Sequence, residues 1–162
     1  MIGVETDKSK NTVRYSLFNL SGQLFGIEIA YIKRIITLPK VTKLPNVSDF
    51  VEGVYSLRGL IVTLINLRQL LGFNEKSTEK TDRVILVEYR GDILSFCVDE
   101  IKDFIDIPPD KIKPISMPQK GQSKPMLEGM FAADNGEKIQ LFAIDKLFKV
   151  GKGAISNPRK DA

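Results

Sequence analysis

Four short turn signals punctuate this chain: Ser21-Gly22, Arg58-Gly59, Arg90-Gly91-Asp92 and Asn135-Gly136. Each lies between runs that alternate apolar and polar residues or are rich in β-branched and aromatic ones. Alternation points successive side chains to opposite faces of a strand, and a tight glycine-containing break joins two such strands. "TVRYSLFNL" (Thr12 to Leu20) turns at Ser21-Gly22 into "QLFGIEI". "YIKRIITLP" is a further strand, stopped by Pro39. "DRVILVEYRGDILSFCVDEI" gives two strands around Arg90, and "MLEGMFAADNGEKIQLFAI" gives a hairpin with Asn135-Gly136 as a type I′ turn signal. Only "LRQLLG" and "DKLF" read as helical, each a single short turn. The chain is therefore expected to be all-β with short helices. "FNEKSTEKTD" (Phe73 to Asp82) reads as a linker, and Pro108 to Pro125 as a Pro- and Lys-rich loop. Residues 1–11 and 151–162 read as flexible tails.

The pattern runs twice. "FGIEIAYIKRII" from Phe25 matches "LSFCVDEIKDFI" from Leu94, an offset of 69. "FVEGV" from Phe50 matches "MLEGM" from Met126, and "LRQLL" from Leu67 matches "IDKLF" from Ile144, offsets of 76 and 77. The offset grows across the Pro-rich loop of the second half, where extra residues cost little. With 162 residues in all, each half alone is near the lower limit for a stable core. A duplicated small barrel with a shared interior is the economical account.

"GVYSLRGLIVTLINLRQLLG" (Gly53 to Gly72) has the length of a membrane span, but it holds two arginines, Arg58 and Arg68, and an internal Gly turn. It reads instead as a hairpin or bent strand pair. Gly59 takes a positive φ without steric cost, so the chain turns there and Arg58 sits at the bend with its head free of the core. Arg58 is then either a solvated turn residue or a contact for a partner, since the planar guanidinium makes several oriented hydrogen bonds.

Composition removes most catalytic chemistry. Histidine is absent, which takes away the commonest general base and metal ligand. The single cysteine, Cys97, lies in an apolar alternation and reads as a buried thiol in a reducing compartment. The N-terminus lacks a secretory apolar run, so a cytoplasmic protein is expected. The acidic cluster Asp99, Glu100, Asp103, Asp106 and Asp110 lacks the spacing of a calcium loop. No catalytic residue, metal or cofactor is expected. Lys and Arg exceed Asp and Glu by four, a mildly basic balance. A small-barrel binder of single-stranded nucleic acid is the second class to weigh. It needs exposed aromatic platforms, whereas tryptophan is absent and Phe18, Phe25, Phe96 and Phe142 sit in core-like alternations.

"FGIEIAYIKRII", "TKLPNVSDFVEGVYSLRGLIVTLINLRQLLG", "FCVDEI" and "LFAIDKLF" together resemble the CheW family, adaptors that couple chemoreceptors to the histidine kinase CheA in chemotaxis. The similarity runs from about Thr12 to Phe148. It implies two SH3-like five-stranded β-barrels in one domain over 12–150, with a first subdomain over about 25–80 and a second over about 81–145, the terminal segments completing the barrels. It implies a non-enzyme that binds a receptor's cytoplasmic tip and CheA's regulatory domain, binds no nucleic acid and meets the membrane only through receptors. Arg58 and Gly59 match the family's "LRG", and Gly53 the glycine before it; these three are the expected kinase or receptor interface. Ile32 and Arg34 fall on the receptor-facing strand, and Val84 and Ile85 on the apolar strand opposite, so the four are expected to line a receptor groove between the barrels. Family members usually carry Glu at the Arg34 position, Asn at Ser56, Pro at Thr63 and Asp at Asn66. The charge reversal at Arg34 implies a partner with a compensating acidic residue, or a specialised paralogue.

Overall fold

A computed structural model of the chain describes residues 11–73, 83–115 and 126–156. The described residues form ten strands in two five-stranded sheets. In chain order these are β1 (Val13–Leu20), β2 (Gln23–Glu28), β3 (Ile32–Thr37), β4 (Val51–Leu57), β5 (Leu60–Ile65), β6 (Arg83–Tyr89), β7 (Asp92–Val98), β8 (Glu100–Ile107), β9 (Leu127–Ala132) and β10 (Lys138–Phe142). Helix α1 (Leu67–Leu70) follows β5 and helix α2 (Ile144–Ser156) follows β10.

One sheet has the order β8-β1-β2-β10-β9 and the other β3-β6-β7-β5-β4. Adding one repeat length to each strand of the second sheet, or removing it, gives the first. The duplication is therefore real in space, and it is swapped. Strands β6 and β7 open the second repeat but complete the barrel of β3, β4 and β5, while β1 and β2 complete the barrel of β8, β9 and β10. Both swaps close through a parallel pair, β5 with β7 and β10 with β2. This corrects the expected subdomain limits of 25–80 and 81–145. The first barrel is continuous from β3 to β7, and the second is built from both ends of the domain.

The swap gives three cores. Tyr55, Val62, Leu64, Val84, Leu86 and Cys97 fill the first barrel. Tyr15, Leu17, Ile107, Ile139 and Leu141 fill the second. A larger core lies between them, where Phe18, Phe25, Phe96 and Phe142 meet with ring centroids 5.6–6.5 Å apart. These four rings are buried, as the alternation predicts. Strand β6 serves two cores at once: Val84 and Leu86 face the barrel interior, and Ile85 and Val87 face the shared core. Such a doubly buried strand reads as the unbroken apolar run "VILV".

Two local expectations change. The Asn135-Gly136 hairpin is not type I′, because only Gly136 has positive φ there and Ala133 closes onto Glu137 around a three-residue loop. The type I′ pattern, positive φ at both central residues, occurs at Ser21-Gly22, Arg58-Gly59 and Arg90-Gly91. The C-terminal turn at "DKLF" is a full helix reaching Ser156, so residues 151–156 are not a tail. Residues 1–10 and 157–162, most of the linker and the second half of the Pro-rich loop lie outside the described residues.

Candidate protein-binding surface

The two arginines of the Gly53–Gly72 stretch have opposite fates. Leu57 pairs with Leu60, which leaves Arg58 and Gly59 as a two-residue turn with φ of 51° and 85°. Arg58 is exposed, and among the described residues no carboxylate pairs with it. Arg68, in α1, is 2% exposed and donates to the Asp99 carboxylate at the β7–β8 junction. The other Asp99 oxygen accepts from the Ser21 backbone N–H at 2.8 Å. Arg68 and Asp99 thus tie the first barrel to the β1–β2 turn of the second. Asn66 caps α1 by accepting from the Gln69 N–H at 3.0 Å, a bond that the family's Asp would make equally well.

Gly53 is buried in β4, and its φ of +148° lies outside the ordinary range for a side chain. A Cβ there would stand 2.2 Å from the Thr42 carbonyl oxygen and 2.7 Å from Val41 Cγ1. The reason is a backbone bridge between Thr42 and Val54. The second repeat copies it: Lys113 bridges Met130, and a Cβ on Gly129 would stand 2.7 Å from the Lys113 carbonyl oxygen. Gly53 therefore has a packing role behind the Arg58 hairpin. A Cβ on Gly59 meets nothing within 4 Å.

Strand β3 is an edge of its sheet. Ile32 and Arg34 are half-buried, with Ile32 packed on the shared core. The exposed positions are Lys33, Ile35 and Thr37. Lys33 pairs with Glu88 at 3.2 Å, and Ile35 is 42% exposed. Val84 and Ile85 lie opposite Ile36 and Ile35, as expected, but both are 0% exposed. They cannot line an open groove, because β6 is buried on both faces. This corrects their expected role: on the strand beside β3, Val84 packs in the first barrel and Ile85 in the shared core, and Ile35 is the apolar side chain of β3 that reaches solvent.

Five exposed apolar residues among the described ones, Ile35, Leu60, Ile61, Phe104 and Ile115, escaped the sequence reading. The phase of the alternation held the signal for Ile61. With Val62 and Leu64 pointing inward, Ile61 must point outward.

A different electrostatic feature sits at the second barrel. Tyr15 donates to Glu128 at 3.4 Å, and Glu28 lies across from Tyr15 on β2. Burial, then the nearby Glu128 charge, raises the Glu28 carboxyl above its ordinary pKa. Burial and the same carboxylates raise the Tyr15 phenol. Among the described residues no group of three His, Cys, Asp or Glu could hold a metal ion. No described helix is long and apolar enough to cross a membrane.

Two swapped five-stranded barrels around a common core place the chain in the class of paired SH3-like barrel proteins. A family model described as a CheW-like domain matches residues 14–152, so the chain belongs to the CheW-like family. The chemotaxis protein CheW of Klebsiella aerogenes is 29% identical over 100 residues, covering 62% of this chain and 60% of that protein. The matched stretch thus spans about three fifths of that relative's length. The chemotaxis protein CheW of Bacillus subtilis is also 29% identical, over 108 residues, with 67% and 69% covered. Among solved structures, the crystal structure of scaffolding protein TtCheW from Thermoanaerobacter tengcongensis superposes with a TM-score of 0.73. It is 26% identical and covers 82% of this chain and 89% of that one.

Proposed function

We propose that this chain is a cytoplasmic, non-enzymatic chemotaxis adaptor that couples chemoreceptors to the histidine kinase CheA by binding both. The observation that carries this reading is the Arg58-Gly59 tip: a cation held on a tight turn, free of any described carboxylate, on a chain of the CheW-like family. Arg58 and Gly59, supported by Gly53, form one contact. The β3 edge with Ile32, Arg34 and the exposed Ile35 forms the receptor contact. A rigid pair of barrels would hold the two partners in fixed geometry, so that a change in the receptor reaches the kinase. CheA's regulatory domain and a receptor's cytoplasmic tip are the partners, and the membrane is met only through receptors. The nucleic-acid reading finds Phe18, Phe25, Phe96 and Phe142 buried, and Phe104 is the one exposed aromatic among the described residues, its ring covered by the Arg14 guanidinium.

Co-purification with CheA and with a soluble receptor tip from the same organism tests the reading. Both are expected to be retained, and retention of neither contradicts it. Arg34→Glu is expected to weaken the receptor complex about tenfold, because a cation-specific contact becomes a repulsive one. Unchanged or tighter receptor binding in a titration would remove Arg34 from the contact.

A further inference from the structure

Strands β3 and β8 hold equivalent places in the duplication, offset by 69, and each is an edge of its sheet. Their exposed rows differ. On β3 the row is Lys33, Ile35 and Thr37, and on β8 the same positions hold Lys102, Phe104 and Asp106. Phe104 is 55% exposed even though the Arg14 guanidinium of β1 lies 4.8 Å from its ring centroid. Arg14 also donates to both oxygens of Asp106, at 2.8 and 3.1 Å. These hydrogen bonds hold the Asp106 carboxyl below its ordinary pKa, so it is an anion at neutral pH. Lys102 stands on the other side of Phe104, 3.5 Å from Glu100 in an exposed pair that constrains it little. The row is therefore cation, aromatic, anion, and such an order is complementary to itself when one copy runs antiparallel to another.

We propose that β8 is the edge through which two copies of this chain associate, antiparallel across a two-fold axis at Phe104. Phe104 then meets Phe104 of the second copy, and Lys102 of each copy faces Asp106 of the other. Aromatic and opposite-charge pairs across neighbouring strands each stabilise a sheet. The backbone groups on the open side of β8, which no described strand pairs, complete the contact. The register is specified. A slip of one residue turns the exposed row to the wrong face. A slip of two sets Glu100 against Asp106 in one direction and Phe104 against Asp106 in the other. The equivalent strand β3 lacks the property: around Ile35, Lys33 would meet Thr37, and Lys33 already pairs with Glu88. The two-fold closes the assembly at two copies. Since β3 and the Arg58 hairpin belong to the other sheet, the pair carries two of each contact proposed above. That consequence rests on the coupling reading, whereas the pairing of β8 does not. One strand pair is a small interface, so the dissociation constant is expected to be on the order of 100 µM.

Sedimentation equilibrium of the full chain alone, up to about 1 mM, tests the proposal without either signalling partner. The mass is expected to rise from one chain toward two and no further. Phe104→Lys should stay a single chain throughout, because it sets two cations against each other at the axis, and its unfolding midpoint should stay near wild type since the position is exposed. Lys102→Asp alone and Asp106→Lys alone should each weaken association about tenfold or more, by placing like charges opposite one another. An equimolar mixture of those two variants should associate again, because in the mixed pair opposite charges face at both positions. A wild-type chain that remains single at the highest concentration overturns the proposal, and so does a mass that grows beyond two. Association that all three variants leave unchanged places the interface elsewhere and overturns it too. Failure of the mixture to associate overturns the pairing of Lys102 with Asp106. If the wild-type chain is single and Phe104→Lys instead weakens its hold on the receptor tip or on CheA, β8 serves that partner and the proposal falls, while the coupling reading stands.

Discussion

Arg58 and Arg68 stand ten residues apart in one apolar stretch and solve the same problem in opposite ways. A charge in such a run must be either exposed or paired. Arg58 is lifted out on a two-residue turn and keeps its hydration. Arg68 is buried and gives its charge to Asp99, which also holds the Ser21 N–H of the other barrel. The first arrangement leaves a cation available to something outside the chain. The second spends the charge on orientation within it. Function and architecture are thus separable in this region, and substitutions should separate them.

The largest stability effect should come from Arg68→Ala. Removing the buried cation of this pair costs about 3 kcal/mol or more, because the part-buried Asp99 carboxylate loses it while still accepting from the Ser21 N–H. A urea melt should show that loss, and the double variant Arg68→Met with Asp99→Asn should recover much of it. A melt of Arg68→Ala that matches wild type would make this pair dispensable and erase the contrast with Arg58. Gly53→Ala should come next, at about 3 kcal/mol, since its Cβ meets a backbone oxygen and its φ is strained. Gly59→Ala at the tip has open space around it and only the positive φ to bear, about 1 kcal/mol. Equal costs at the two glycines would mean that the Thr42 bridge does not constrain β4.

A half-buried charge facing a like charge gives the smallest effect and the intermediate case. The Glu28 carboxyl is raised by burial and then by Glu128. A raised folded-state pKa means that its contribution to stability is fully present below the ordinary value of 4.5 and is lost as pH rises through the raised value. Glu28→Gln should therefore stabilise the protein slightly at neutral pH. The gain should vanish near pH 4, as thermal melts across that range will show. A gain independent of pH would assign it to packing instead of charge.

Much of the fold was legible because each hairpin announces itself locally. The alternation and the glycine turns placed the strands, and the offsets near 69 and 77 exposed the duplication. The swap was not legible. Which barrel β1 and β2 join depends on pairings with distant segments, β1 antiparallel with β8 and β2 parallel with β10, and no local pattern encodes that choice. The same gap misplaced Val84 and Ile85. Strand β6 is the neighbour of β3 in the same sheet, and a core on each of its faces buries Val84 and Ile85. Arg58 was legible because its glycine neighbour fixes the turn. Ile61 was legible only through its phase relative to Val62 and Leu64, which needs the hairpin register first. Helix α2 outran its sequence signal because residues from 151 onward read as a tail, whereas Gly151 is buried against Leu94.

The most direct test of the central claim is a paired measurement on Arg58→Ala: its unfolding midpoint, and its retention of CheA and receptor tip in co-purification. The account predicts stability within about 0.5 kcal/mol of wild type, as for an exposed substitution, together with about tenfold weaker binding of one partner, as for an interface arginine. A folded Arg58→Ala chain that holds both partners as tightly as wild type would contradict it.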